Sequence, residues 1–117
     1  MKSAPLMLLA LLILAHASSS EARPEIIKPG ICYYAEDYVE NKGVHDIAEE
    51  KNYEEVFKNY EYFETQYDAS KRVILFRHYK QGDVVWEEKY AYHGNGKLAR
   101  KEVIKEGKPA EKSTFAH

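Results

Sequence analysis

Residues 67–73 read YDASKRV, and residues 92–98 read YHGNGKL, so a tyrosine, a turn composition and the start of an apolar run recur 25 positions apart. The same offset relates Gly82 to Gly107. A fixed period in this range is typical of a repeated supersecondary unit. We therefore expect residues 60–115 to be built from one unit that is used more than once.

Each unit predicts strands separated by turns. Residues 72–79 are rich in β-branched and aromatic side chains, and Asn95-Gly96 is a strong hairpin signal because both residues tolerate a positive φ. The sequence predicts a mainly β fold, an antiparallel meander of about five strands built from 25-residue hairpin repeats. The strands are expected at residues 61–67, 72–79, 84–92, 98–104 and 112–115.

The segment before the repeats predicts secondary structure less clearly. Residues 31–39 are expected to form an edge strand, and residues 41–43 a turn. Asp46 and Glu49 match a capping box, which predicts one short helix over residues 46–57. The competing interpretation makes residues 53–57 a strand.

The first 22 of the 117 residues resemble a secretory signal peptide. Lys2 precedes an apolar run of about ten residues, which is shorter than the roughly 20 that span a bilayer as a helix. Small-residue cleavage patterns are Ala15-His16-Ala17 and Ser20-Glu21-Ala22. We expect residues 1–22 to be removed and residues 23–117 to form a single domain in a secreted or periplasmic protein. No membrane span is expected after cleavage.

The charge and the cysteine content limit further which class of protein this chain can belong to. The net charge of −2 argues against nucleic acid as a partner, because such proteins are usually basic. Residues 24–68 hold 12 acidic and 4 basic side chains, whereas residues 69–117 hold 6 acidic and 11 basic ones. We expect these two halves to pack together and to screen each other. Cys32 is the only cysteine, so it is either a buried apolar side chain or an exposed thiol that joins two chains.

The ten tyrosines suggest either a sheet core or a binding surface. Tyr and Trp anchor many interfaces, so the candidate binding residues are Tyr62, Trp86, Tyr90 and Tyr92. If these four residues share an exposed face, the protein is an interaction module that binds a protein or polysaccharide partner. The alternative makes the same rings the core beneath the predicted helix. A homodimer through a sheet edge or Cys32 is a further hypothesis.

The repeat resembles two known families. Tyr67-Asp68, then Arg72-Val73 and Gly82, is similar to the YD repeat of RHS-type proteins, although Lys71 stands where that pattern has glycine. Asn95-Gly96-Lys97-Leu98 with Gly107 resembles MORN-type hairpin repeats. Both resemblances imply antiparallel β-hairpins, often in exported or cell-surface proteins. Neither implies catalytic residues, and the MORN-like resemblance allows an inhibitor or immunity-like protein.

The sequence gives little support for catalysis. It has no histidine or cysteine spacing typical of a metal site, so no metal and no cofactor are expected. An enzyme is the less favoured hypothesis, namely a small hydrolytic or isomerising one. It would use Glu88, with its pKa raised by aromatic neighbours, near His78 or His93.

Overall fold

The computed structural model describes residues 23–117, so the predicted signal peptide lies outside the described residues. Strands dominate this part of the chain, because β-branched and aromatic residues alternate with polar ones along most of it. In chain order the elements are β1 (Tyr33–Ala35), β2 (Tyr38–Asn41), β3 (Val44–Ile47), β4 (Glu50–Lys51), α1 (Tyr53–Val56), β5 (Glu61–Tyr67), β6 (Val73–Lys80), β7 (Asp83–Tyr92), β8 (Leu98–Lys105) and β9 (Glu111–Thr114).

The predicted meander is confirmed. Strands β5 to β9 follow one another as antiparallel neighbours, and their bounds lie within about one residue of those expected. Strands β1 and β4 extend the same sheet beyond β5, which gives seven strands in the order β4-β1-β5-β6-β7-β8-β9. Strands β2 and β3 form a separate two-stranded hairpin.

The offset of 25 residues recurs in the backbone. In the turns at residues 68–72 and 93–97, the N–H of the first residue donates to the carbonyl oxygen of the fifth at 2.9 Å. The fourth residue of each turn has a positive φ, 66° at Lys71 and 88° at Gly96. A shift in strand register precedes each turn at equivalent positions. The two turns therefore share one geometry, although only the second has the glycine that this geometry favours.

The β2–β3 hairpin covers one face of the large sheet, here called the inner face. The ring of Tyr38 lies 5.0 Å from that of Phe63 and 5.6 Å from that of Trp86, and the ring of His45 lies 5.3 Å from that of Phe76. These contacts bury aromatic area, which is the main source of stability in a thin sheet. The core cluster consists of Tyr33, Ala35, Ile47, Phe63, Tyr67, Val73, Phe76 and Tyr90.

The prediction of a helix over residues 46–57 is wrong for most of its length. Residues 44–47 form β3 instead, and Asp46 accepts the hydroxyl of Tyr67 at 2.6 Å rather than capping a helix. Only Tyr53–Val56 is helical, so the competing strand is wrong as well. The Glu55 carboxylate accepts the backbone N–H of Asn52 at 2.9 Å, which places the capping box six residues later than expected.

The predicted edge strand over residues 31–39 is also wrong as a single element. The chain bends at residues 36–37, and β1 and β2 join different sheets on either side of the bend. Strand β1 lies between β4 and β5, so it is not an edge. The predicted turn at residues 41–43 is present, with positive φ at Lys42 and Gly43.

Candidate functional site

The four candidate binding residues do not lie on one exposed face. Tyr62 pairs with Tyr79, whereas its neighbour Phe63 points to the inner face, so Tyr62 lies on the opposite, outer face. Tyr62 and Tyr90 are 5% and 6% exposed. Trp86 and Tyr92 are half-buried and pack against the core cluster. The expectation of an exposed surface made by all four rings is therefore wrong, because it ignored the pairing of β5 with β6.

Trp86 is enclosed by aromatic side chains of the inner face. Its ring lies 4.8 Å from that of His45 and 5.2 Å from that of Phe76. The ammonium of Lys105 stands 5.0 Å from the ring centroid, within range of a cation–π contact. The hypothesis that this ring belongs to a core is supported, but the cover is the β2–β3 hairpin and not the helix.

Glu88 is the centre of a buried polar cluster beside Trp86. One carboxylate oxygen accepts the indole N–H of Trp86 at 2.8 Å. The other lies 2.9 Å from Nδ1 of His45 and accepts the hydroxyl of Tyr90. Lys101 adds its ammonium 3.6 Å from that second oxygen. The side chain of Glu88 is only 3% exposed, so these partners replace water.

The surroundings of Glu88 favour its ionised form. Burial opposes ionisation, but the hydrogen bonds from Tyr90, His45 and Trp86 outweigh it and lower the pKa of Glu88 below its ordinary value. The expected rise in this pKa is therefore wrong. A carboxyl group with a lowered pKa is a poor general acid at neutral pH.

The two histidines named in the enzyme hypothesis have other partners. Nε2 of His78 lies 3.5 Å from a carboxylate oxygen of Glu61, and burial lowers the pKa of His78 despite that acid. Nε2 of His93 lies 2.8 Å from the carbonyl oxygen of Phe115 in the C-terminal segment. The histidine that contacts Glu88 is His45, 43 residues earlier in the chain.

The Glu88 cluster joins the hairpin to the sheet. The backbone N–H of His45 donates to the hydroxyl of Tyr90 at 2.9 Å, and the ammonium of Lys101 donates to the carbonyl oxygen of Gly43 at 2.7 Å. Both bonds run from β7 or β8 of the sheet to β3 or the turn before it. This arrangement holds two layers in register, which is a structural role.

The outer face carries a set of aromatic rings near α1. The rings of Tyr62 and Tyr79 stack with centroids 4.7 Å apart, and those of Tyr53 and Phe57 stack at 5.3 Å. Tyr34 joins the two pairs through contacts of 5.0 Å with Tyr53 and 6.2 Å with Tyr62. Tyr53 and Phe57 are 46% and 44% exposed, so part of this aromatic cluster faces solvent.

A row of charged side chains continues across the outer face from these rings. Glu64, Arg77 and Glu87 are neighbours in register on β5, β6 and β7. Arg77 donates to Glu64 at 3.2 Å and to Glu87 at 2.8 Å, and the hydroxyl of Tyr79 donates to Glu64 at 2.8 Å. Lys89 extends the row, 3.7 Å from Glu87. Hydrogen bonds hold the row in place, and its exposure differs along it: the side chain of Glu64 is buried, whereas that of Arg77 is partly exposed.

A hollow of about 340 Å³ lies over β7, β8 and β9 next to this row. The small side chain of Ala91 sits opposite Arg100 in register and leaves room there. Lys89, Arg100 and Lys112 bring positive charge to the hollow, against the one carboxylate of Glu102. The outer face therefore runs from an aromatic end to a basic end.

Cys32 is half-buried at the aromatic end. Gln66 donates its amide N–H to the sulfur at 3.2 Å. Burial, with Glu64 nearby, raises the pKa of the Cys32 thiol above its ordinary value. This environment disfavours the reactive thiolate. The hypothesis of a dimer through Cys32 or a sheet edge stays a prediction.

Residues 23–117 contain neither a cluster of metal ligands nor a membrane-spanning helix. No three histidine, cysteine, aspartate or glutamate side chains in this range are grouped so as to hold a metal ion. No helix in the same range is long and apolar enough to cross a membrane.

Comparisons with known proteins give no family for this chain. No protein-family model matches it, and neither a curated protein nor a solved structure matches it. The resemblance to YD and MORN-type repeats therefore stays a prediction that rests on the quoted residues.

Sequence reasoning missed the residues that organise both faces. His45, Lys101, Glu64 and Arg77 were not candidates, because each reaches its partner across strands and not along the chain. A usable signal for Glu64 and Arg77 was their position on the same faces as Tyr62 and Tyr79, two residues away on each strand. The sequence held no local signal for His45.

Proposed function

We propose that this protein is an exported interaction module, secreted or periplasmic, that binds a partner protein through its outer face. The observation that carries the proposal is the row of Glu64, Arg77 and Glu87, which is held by hydrogen bonds and is reached by solvent at Arg77, whose side chain is 31% exposed. A surface whose side chains are already fixed loses little conformational entropy when a partner binds. The leader-like residues 1–22 support export.

The size of the outer face suits a protein partner. The seven strands of the sheet hold 42 residues, and each residue covers about 16 Å² of sheet at a strand spacing of about 4.8 Å and a rise of about 3.4 Å. The product, roughly 700 Å², is close to the area of about 800 Å² that each partner buries in a standard interface. An inhibitor or immunity-like role is one form of such binding.

The chemistry of the face also favours protein over polysaccharide. Tyrosine and arginine are enriched at interfaces, and both are present in the row and the rings beside it. Positive and negative groups alternate along the row, which suits a partner with both signs of charge. We do not propose an enzyme, because the hydrogen bonds of Glu88 go to Trp86, Tyr90 and His45 and not to His78 or His93.

The test is site-specific photo-crosslinking in the cells that produce the protein. A photoreactive residue at Lys89, on the outer face, should yield a product with a distinct protein, and one at Val39 on the hairpin should not. Val39 is a matched control because it is 44% exposed and lies on a strand. Adding Phe57→Ser, which removes an exposed ring of the aromatic cluster, should reduce the yield from Lys89.

Three outcomes contradict this proposal. Equal products from both positions mean that the contact is not specific to the outer face. A product of twice the chain's mass indicates self-association. Binding of a neutral polysaccharide to the purified chain, abolished by Phe57→Ser and without any protein product, identifies a polysaccharide site instead.

A further inference from the structure

We propose that a groove at the tip of the β2–β3 hairpin binds an acidic saccharide of about two rings through its sulfate or carboxylate groups. The groove lies between the hairpin and the turns that follow β5 and β7, and its volume is about 340 Å³. That volume is at the lower end of the range of about 300–1,000 Å³ for small-molecule sites. None of the residues that form the outer-face row or its aromatic cluster lines this groove, so the inference stands apart from the proposed function.

Positive charge dominates the lining of this groove. Arg23, Lys42, Lys71 and Arg72 contribute cationic groups, and Asp46 is the one carboxylate among the lining residues. Four such groups around one small volume attract an anion and disfavour a neutral or cationic ligand.

The carboxylate of Asp46 is already engaged within the fold. It accepts the Tyr67 hydroxyl at 2.6 Å and the backbone N–H of Ile47 at 2.7 Å. Nε of Arg23 lies 3.3 Å from its second oxygen. Burial is the main reason that the pKa of Asp46 is raised above its ordinary value. Even with Asp46 ionised and paired with Arg23, the lining residues keep a net positive charge, because they include four cationic groups and one carboxylate.

Both arginines are held in place by aromatic rings. The guanidinium of Arg23 stands 4.8 Å from the ring centroid of Tyr67, and that of Arg72 stands 4.8 Å from the ring centroid of Tyr92. Nε of Arg72 also donates to Asp68 at 3.0 Å. Because a guanidinium has five N–H donors, each arginine retains donors for a ligand beyond these contacts. Preorganised arginines of this kind suit planar or tetrahedral oxyanions.

The two lysines occupy backbone positions that usually favour glycine. Lys42 has a φ of 53° and Lys71 a φ of 66°, and the equivalent of Lys71 in the second repeat is Gly96. A side chain at such a φ costs stability, and residues held there often serve a site. Within residues 23–117 neither lysine takes part in an ion pair, so both ammonium groups are available to a ligand. Their side chains are exposed beside the groove.

The floor of the groove is apolar, which is why a bare inorganic anion is not the proposed ligand. Val44, Val73 and Leu98 line it together with the ring of Tyr92. The Tyr92 hydroxyl donates to the carbonyl oxygen of Val73 at 2.6 Å, so the ring is fixed as part of the floor. A ring-shaped ligand with anionic substituents would place its body on this floor and its charges on the four cations.

The test measures binding of defined oligosaccharides to the purified chain by calorimetry at low salt. The probes are a sulfated disaccharide, a carboxylated disaccharide, a neutral disaccharide and inorganic sulfate. At least one acidic disaccharide should bind, more weakly as salt is added, and the neutral disaccharide should not. Lys71→Gly should weaken binding by about tenfold, as expected for the loss of one charged hydrogen bond. Its melting midpoint should not fall, because glycine suits this φ.

Two control variants separate the groove from general effects. Gln81→Gly makes the same change at another residue of positive φ, 51°, outside the groove, and should leave binding unchanged. Lys89→Gln removes one positive charge from the outer face and should also leave binding unchanged. Equal loss in either control overturns the proposal, and so does wild-type affinity in Lys71→Gly. Failure of both acidic disaccharides to bind, or equal binding of inorganic sulfate, overturns it as well.

Discussion

The two faces of the large sheet contain the same chemical unit in different surroundings. On the inner face Glu88, 3% exposed, accepts the hydroxyl of Tyr90 and contacts His45. On the outer face Glu64, 4% exposed, accepts the hydroxyl of Tyr79 and contacts Arg77. The inner unit connects the sheet to the hairpin, whereas the outer unit joins strands of one sheet.

Burial alone therefore does not define the role of a carboxylate. The partners of Glu88 come from a second layer, so water cannot replace them without separation of the layers. The partners of Glu64 are themselves partly exposed, 31% for the Arg77 side chain, so water or a binding partner can reach them. We therefore assign stability to the inner unit and propose recognition as the role of the outer one.

The largest expected effect is that of removing the inner carboxylate. Glu88→Ala leaves the indole N–H of Trp86, the Tyr90 hydroxyl and a ring nitrogen of His45 without their acceptor. Each unpaired buried group costs about 1–3 kcal/mol, so the free energy of unfolding should fall by about 3 kcal/mol or more. Urea denaturation followed by Trp86 fluorescence measures the loss. Glu88→Gln retains one acceptor oxygen and should lose less; equal losses would contradict the hydrogen-bond argument.

A smaller effect is expected for the outer carboxylate. Glu64→Ala should lower the free energy of unfolding by about 1 kcal/mol, because water can solvate Arg77 and Tyr79 in its absence. The same denaturation experiment checks this value. A loss as large as that of Glu88→Ala would mean that the two faces do not differ, and the distinction drawn from their partners would fail.

The strands of the repeats could be predicted from the sequence because their signals are local. Alternation with a period of two puts Trp86, Glu88 and Tyr90 on one side of β7, where the structure also has them, and the turn residues predict the ends of β5 to β9. The N-terminal half gave a false helix over residues 46–57 because Tyr53, Val56, Phe57 and Tyr60 lie at helical spacing and because Asp46 and Glu49 match a capping box. In the structure Ile47 belongs to a four-residue strand, too short to show a period of its own.

The site could be predicted only in part, because register is a long-range property. Tyr62 was grouped with Trp86 as an aromatic residue, but the pairing of Phe63 with His78, and of His78 with Trp86, puts Tyr62 on the other face. A shift of one residue exchanges the two faces of a strand, and no single strand encodes that choice. The contact of His45 with Glu88 depends on how the β2–β3 hairpin packs on the sheet. No local sequence pattern encodes that packing.

The smallest expected effect is on the way stability depends on pH in the acid range. Glu88 and Asp46 both accept a tyrosine hydroxyl, but their pKa values are shifted in opposite directions. The folded pKa of Glu88 lies below its ordinary value of 4.5, so its contribution is present above that pH and is lost as the pH falls through the folded pKa. The folded pKa of Asp46 lies above its ordinary value of 3.8, so its contribution is lost as the pH rises through the folded pKa.

Glu88→Gln should therefore flatten the rise of stability with pH in the acid range, and Asp46→Asn should steepen it. Urea denaturation of the two variants and the wild type at a series of acid pH values measures both slopes, and a change of the same sign in both variants would show that hydrogen bonding and burial do not balance differently at these two groups.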